Sequence, residues 1–155
     1  MRVGIGYDAH RLVEDRPLVL GGCTIPFEKG LLGHSDADVL IHGLMDALLG
    51  AAAMGDIGRH FPDSDSRYKN ISSLHMLAEV GEMIRKAPIS VGNIDGIIVA
   101  QEPKLAEFLP LMEKNIAKAL DISVERVNIK ATTEEGMGFT GMGEGMAAHV
   151  VALLV

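Results

Sequence analysis

The stretch RVGIGYD at residues 2–8 alternates, with Val3, Ile5 and Tyr7 on one side of an extended chain and Gly4 and Gly6 on the other. A period of two predicts a strand ending at Asp8. Its glycine side carries nothing to hold a neighbour away and invites close backbone contact. Downstream, residues 17–20, Gly21-Gly22 and residues 23–27 read as a hairpin whose glycines supply the positive φ of a tight turn. DADVLIHGLMDALLGAAAM at residues 36–54 is helical in composition, with Ser35 or Asp36 as its N-cap and acidic residues in its first turn. Residues 55–70, rich in Gly, Pro, Asp and Ser, form a long loop of the kind that usually carries function. A helix over residues 72–87 ends at Pro88, and a strand over 89–100 is interrupted by GNIDG, where a bulge is expected. A second amphipathic helix over 103–120 carries Pro110 with a kink, and a strand follows over 127–133. A glycine-rich loop over 136–145 and an apolar strand over 146–155 close the chain. This order predicts an α+β fold, a two-layer mixed β-sheet with helices packed on one face, in a single domain over residues 1–155.

Composition narrows the function. The 155 residues are 48% hydrophobic and 23% charged, enough for one real core and not for two domains. Fourteen Lys and Arg against twenty-one Asp and Glu give a net charge of −7, and there are no Trp, two Tyr and four Phe. Such a chain lacks the basic surface and the stacking platform of a nucleic-acid binder. The longest apolar runs, such as residues 147–155, are too short to span a membrane and include His149. A lone Cys23 and no leader-like N-terminus point to a reducing, cytoplasmic setting.

Asp8 and His10, two apart at the end of the first strand, leave the same face, and His42 on the long helix offers a third ligand. One carboxylate and two imidazoles suit Zn²⁺ or a similar divalent ion with an open fourth position. Asp-x-His is short and common, however, so taken alone it is better explained by separate surface or capping roles, and His42 does not change that until a fold brings it near. Asp38, His42 and Asp46 line one helical face, so either carboxylate could orient the imidazole or both could belong to a solvated acidic stripe. His34-Ser35-Asp36 lies where a helix start favours phosphate, although Ser35 also reads as the cap. Gly136, Gly138 and Gly141 match G-x-G-x-x-G, but only fourteen residues follow, too few for a dinucleotide fold. The loop can still offer backbone N–H groups to phosphate while Glu135 offers oxygen to a hard cation such as Mg²⁺. Lys104 and Lys130 are the nearby basic residues. His60, His75 and His149 read as surface or packing residues.

Five ordered segments, GYDAHR from Gly6, GHSDADVLIH from Gly33, DALLGAAAMGDIGRHFPD from Asp46, AQEPKL from Ala100 and NIKATTEEGMGFTGMGEG from Asn128, together resemble the 2-C-methyl-D-erythritol 2,4-cyclodiphosphate synthase family from end to end. The resemblance implies a homotrimer with active sites between subunits, acting on 4-diphosphocytidyl-2-C-methyl-D-erythritol 2-phosphate and releasing CMP. It implies Zn²⁺ or another divalent cation on Asp8, His10 and His42, and Mg²⁺ or Mn²⁺ held by Glu135 at the substrate diphosphate. His34 and Thr133 match the transition-state-stabilising positions, and His34 and Ser35 those that contact the methylerythritol phosphate. Asp56, Ile57, Gly58, Phe61, Pro62, Asp63, Ser64 and Asp65 match segments around the erythritol, and Ala9 lies between two of the metal ligands. Ala100, Gln101, Glu102, Pro103, Lys104, Leu105 and Ala106, with Thr132, Thr133, Glu134 and Glu135, match those around the cytidine diphosphate; Phe139 and Met142 complete the substrate set. Met142 stands where many members carry Arg, removing a positive charge, and Glu134 adds a negative one where Thr often sits. A metal-dependent phosphohydrolase and a non-catalytic, nucleotide-binding trimer are the rival readings; solvent-oxygen labelling and CMP release separate them.

Overall fold

Strand β1 (Arg2–Glu14) lies against helix α1 (Val39–Ala51) at backbone contact distance. A Cβ added at Gly4 would stand 2.0 Å from the Ala47 carbonyl oxygen, and one at Gly6 would stand 1.8 Å from that of Gly43. The glycine side of β1 is thus the bed of α1, as its alternation suggests. The computed structural model describes residues 1–62 and 64–155. In it, β1 is the second strand of a five-stranded sheet that also contains β4 (Lys29–Leu31), β5 (Val91–Val99), β6 (Val127–Thr132) and β7 (Gly145–Leu154), in the order β4-β1-β7-β5-β6. All neighbours are antiparallel except β5 and β6, which are joined through α4 (Leu109–Leu120). The architecture is α+β: α1 packs on β1, β7 and β5, α4 packs on β6, and α3 (Ser73–Arg85) packs on both helices. The hairpin β2 (Leu18–Leu20) and β3 (Cys23–Ile25) turns at Gly21 and Gly22, with φ of 56° and 70°.

Several boundaries move, each for a local reason. β1 does not stop at Asp8, because residues 9–11 keep pairing with β7 and Leu12, Val13 and Glu14 pair with β4, a three-residue strand with no sequence signal of its own. α1 begins later than expected. Ala37 is left-handed (φ 57°), so neither Ser35 nor Asp36 can cap the helix; Asp38 does, accepting the Ile41 N–H, and no acidic residue follows in the first turn. α4 begins six residues after Pro103, with Pro110 in its first turn, where its missing N–H costs nothing and no kink is needed. The expected long loop contains a short helix, α2 (Ile57–His60), and a 3₁₀ turn (Ser66–Tyr68). The glycine-rich loop contains one helical turn, α5 (Gly138–Gly141), before β7. The bulge in β5 is present, as a register shift between Val91 and Asn93.

The two sheet faces differ. On the helix side, α1 is buried all round, with Leu40, Ile41, Leu44, Met45, Leu48 and Leu49 fully inaccessible. On the other side, paired rows Val3–Leu153, Ile5–Val151 and Tyr7–His149 present apolar groups, with Ile5 72% and Val3 68% exposed. No described helix is long and apolar enough to cross a membrane.

Candidate active site

The parity of β1 builds the site. Gly4, Gly6, Asp8 and His10 share one side, so the chain that lies bare beneath α1 next presents a carboxylate and an imidazole at the level of His42. Asp8 Oδ2 lies 2.9 Å from His10 Nε2 and 3.0 Å from His42 Nδ1, and the two nitrogens are 3.2 Å apart. A tetrahedral ion with bonds of roughly 2.0–2.1 Å holds its ligands about 3.3 Å apart, so this triangle fits a small divalent cation. Both rings are oriented from behind. His10 Nδ1–H donates to the Leu32 carbonyl at 2.8 Å, leaving the Nε2 lone pair for the cluster. His42 Nε2 faces Ser35 Oγ at 3.1 Å and Ser73 Oγ at 3.0 Å, leaving Nδ1 for the cluster. Burial works to raise the Asp8 carboxyl, but where these ring nitrogens carry hydrogen instead, hydrogen bonds and positive charge from His10 and His42 outweigh it and hold Asp8 well below the usual carboxylate range. Burial likewise disfavours a charged His10, yet the Asp8 carboxylate and the Leu32 carbonyl raise its pKa.

The acidic stripe on α1 does not orient His42. Asp38, fully buried, accepts Gly21 N–H (3.0 Å) and Ile41 N–H (3.2 Å) on Oδ1 and Gly22 N–H (2.7 Å) on Oδ2, pinning the hairpin to the start of α1. Asp46 Oδ1 accepts the Ile57 N–H at 2.8 Å and anchors α2. The groups behind His42 are Ser35 and Ser73, and Asp36 stands behind Ser73. As a site residue, Asp36 stands in the sequence only as part of His34-Ser35-Asp36, and Ser73 not at all, since 37 residues separate the two and nothing in their local pattern links them.

The cluster opens into a cavity of roughly 420 Å³ whose wall includes Asp8, His10, His34, Ser35, His42, Ile57, Gly58, Phe61 and Pro62, together with Tyr68 and Met76. His34 Nε2 is buried there and has no partner among the described residues. Asp56 and Asp65 are spent locally, capping α2 and the 3₁₀ turn; Asp65 also pairs with Arg67 at 2.6 Å. Ser64 is exposed, and Asp63 lies outside the described residues. A second cavity, roughly 330 Å³, is lined by Ala100, Gln101, Pro103, Lys104, Leu105, Ala106, Thr132 and Thr133 with Leu109 and Ala131, and shares no lining residue with the first. Glu102 and Met142 border a third hollow, and Ala9 and Phe139 a fourth that His10 also lines. Glu135 is exposed and left-handed (φ 51°), with its N–H on Thr133 Oγ1 at 3.3 Å. The Gly136 N–H reaches Gln101 Oε1 at 3.3 Å, tying this loop to the second cavity. Glu134 turns back to accept the Thr140 hydroxyl. Lys130 is not near these groups by pairing: its ammonium binds Asp95 at 2.6 Å on the sheet.

A three-ligand centre at the mouth of a cavity, on an α+β sheet, has the form of a metal-dependent enzyme rather than of a closed structural metal site. The chain belongs to the YgbB family, whose model matches residues 1–155. It is 59% identical over 155 residues to a 2-C-methyl-D-erythritol 2,4-cyclodiphosphate synthase of Clostridium perfringens strain 13, covering 100% of this chain and 99% of that one. It is 63% identical over 154 residues to the synthase of that name from Pelotomaculum thermopropionicum, covering 99% and 95%. Among solved structures, the bifunctional IspDF of Campylobacter jejuni superposes with a TM-score of 0.95 at 45% identity, over 99% of this chain and 42% of that longer one. A 2C-methyl-D-erythritol-2,4-cyclodiphosphate synthase in its CDP-bound form gives 0.90 at 33% identity, covering 99% and 100%.

Proposed function

We propose that this chain converts 4-diphosphocytidyl-2-C-methyl-D-erythritol 2-phosphate to 2-C-methyl-D-erythritol 2,4-cyclodiphosphate and CMP, as a phosphorus–oxygen lyase of non-mevalonate isoprenoid precursor synthesis. The observation that carries this reading is the preorganised Asp8, His10 and His42 triangle opening on a cavity, in a chain matched over its whole length by synthases of this name. The reaction is an internal displacement. A 2-phosphate oxygen bonds to the β-phosphorus, the bond from that phosphorus to the bridging oxygen breaks, and CMP leaves with the electron pair. The attacking oxygen is already anionic and needs no general base, which accounts for a site without a nucleophile and base pair.

Asp8, His10 and His42 would hold Zn²⁺, and Glu135 would hold Mg²⁺ or Mn²⁺. When bound, these ions supply Lewis-acid polarisation of the phosphates and neutralise charge on the departing CMP. The side chains would do the positioning. His34, with its unpartnered Nε2, and Ser35 would engage a phosphate oxygen in the first cavity, and Ile57, Gly58, Phe61 and Pro62, which share its wall, would enclose the erythritol. The second cavity, with Lys104 and Thr133 in its wall, suits the cytidine diphosphate. The CDP-bound relative supports a cytidine diphosphate ligand. The exposed rows of β1 and β7 support assembly as a homotrimer of single-domain subunits, in which the first cavity of one protomer would be completed by the second cavity of its neighbour. A cytoplasmic location is consistent with the free, buried Cys23.

Incubating the protein with the cytidine substrate in ¹⁸O-water tests the reading. Cyclic diphosphate and CMP without label are expected; label in the product would mean hydrolysis, and no CMP would reject the assignment.

A further inference from the structure

Behind the metal triangle, Ser73 is the first residue of α3 and is fully inaccessible. Its N–H donates to Asp36 Oδ2 at 3.0 Å and its hydroxyl donates to Asp36 Oδ1. A serine hydroxyl has one proton, and an ionised carboxylate only accepts. With that proton committed to Asp36, Ser73 Oγ shows His42 nothing but lone pairs, 3.0 Å from Nε2. Ser73 therefore draws the hydrogen of a neutral imidazole to Nε2, against the Asp8 carboxylate, 3.0 Å from Nδ1, which draws it the other way; where Ser73 prevails, Nδ1 keeps its lone pair for a cation. Ser35 cannot make this choice alone. Its oxygen accepts the Ala37 N–H at 3.1 Å and its proton is free to rotate, so it suits either form of His42.

We propose that Ser73, polarised by Asp36, is a positioning residue that selects the metal-binding tautomer of His42. The pair also joins two distant parts of the chain. Ser72, the N-cap of α3, makes no side-chain capping bond, and Asp36, from the turn before α1, receives the Ser73 N–H instead. One carboxylate therefore fixes both the start of α3 and the polarity of the ring. This inference rests on reading the triangle as a metal centre.

The test uses the full chain and two readouts that need no substrate: zinc affinity by chelator competition, and ¹⁵N NMR of the zinc-free protein at mildly alkaline pH. In the parent, His42 should carry its proton on Nε2. Ser73→Ala should bind zinc about 10–100-fold more weakly, the usual cost of losing a partner behind a ligand. Ser73→Thr, which keeps the hydroxyl, should restore most of the affinity. Asp36→Asn should weaken zinc at least as much as Ser73→Ala and move proton onto Nδ1, because an amide N–H facing Ser73 Oγ turns the hydroxyl proton toward His42. A parent protein with the proton on Nδ1, or a Ser73→Ala variant with parental zinc affinity, even with a lowered melting temperature, would overturn the proposal. A parent that takes up no zinc would reject the metal reading while the NMR result still decides the tautomer, and absence of CMP formation would bear on the reaction alone.

Discussion

The metal triangle and the loop around residues 132–142 both carry expected site residues, yet they are built in opposite ways. In the triangle, each ligand nitrogen is aimed by a partner from the same chain: Leu32 behind His10, Ser35 and Ser73 behind His42. In the loop, Thr132, Thr133 and Glu135 are exposed, and the bonds recorded there, such as Thr133 to the Glu135 N–H, shape the backbone rather than aim a carboxylate. The contrast separates two tasks. Holding a cation before substrate arrives needs rigidity stored in the fold, whereas gripping a diphosphate would, in the proposed trimer, wait for the ligand and a neighbouring subunit to complete the site.

On that division, His42→Ala should lose both the bound metal and essentially all turnover, since no further His, Cys, Asp or Glu among the described residues joins the group; elemental analysis showing parental zinc would break the comparison. Glu135→Gln should keep its zinc while turnover falls by ~10²–10³, the common cost of one missing electrostatic contact in a transition state. Loss of zinc in that variant, or unchanged CMP release at low Mg²⁺, would show that loop and triangle are not independent. Ile5→Asp should dissociate the proposed trimer and depress activity steeply with dilution, because a carboxylate on the bare sheet face cannot be buried unpaired. A sedimenting trimer of full activity would place the contact elsewhere.

The smallest effect concerns Asp38, which braces α1 without touching the triangle. Burial pushes its carboxyl up to about 6, against the pull of the Gly22, Gly21 and Ile41 N–H groups. Between its ordinary value of 3.8 and about 6 the folded chain holds a proton that the unfolded chain has released, so stability is lost as pH rises through that window. Asp38→Asn cannot titrate, and its amide NH₂ loses one of the three N–H bonds, so it should be less stable throughout. The gap to the parent should shrink by something on the order of 3 kcal/mol between about pH 4 and pH 7 in denaturant titrations. A gap independent of pH would mean Asp38 is ionised at both ends.

What could be read from the sequence follows the range of the signal. The glycine alternation of β1 and the composition of α1 are local, and both elements formed, with the predicted close contact between them. Asp8 and His10 were paired by strand periodicity alone, but His42 joins them only because α1 lies on Gly4 and Gly6. Asp38 and Asp46 show the limit. Helical spacing placed them correctly on one face with His42, yet their partners are Gly21, Gly22 and Ile57, brought in by tertiary contacts that no window of sequence contains. β4 is missed for the same reason, being a strand only where Leu12, Val13 and Glu14 lie beside it.

Strand β1 also behaves as a reading frame of two. Its even positions supply the helix bed and then two members of the triangle that could hold a metal ion, while its odd positions supply the exposed apolar rows. Inserting or deleting one residue between Gly6 and Asp8 would leave the composition almost unchanged but send both ligands to the outer face and Tyr7 or its neighbour beneath the helix. A two-residue change would keep the face and carry the ligands ~6.8 Å along the strand, beyond reach of His42. Descendants of this sequence are therefore freer to vary the odd positions of this segment than its length.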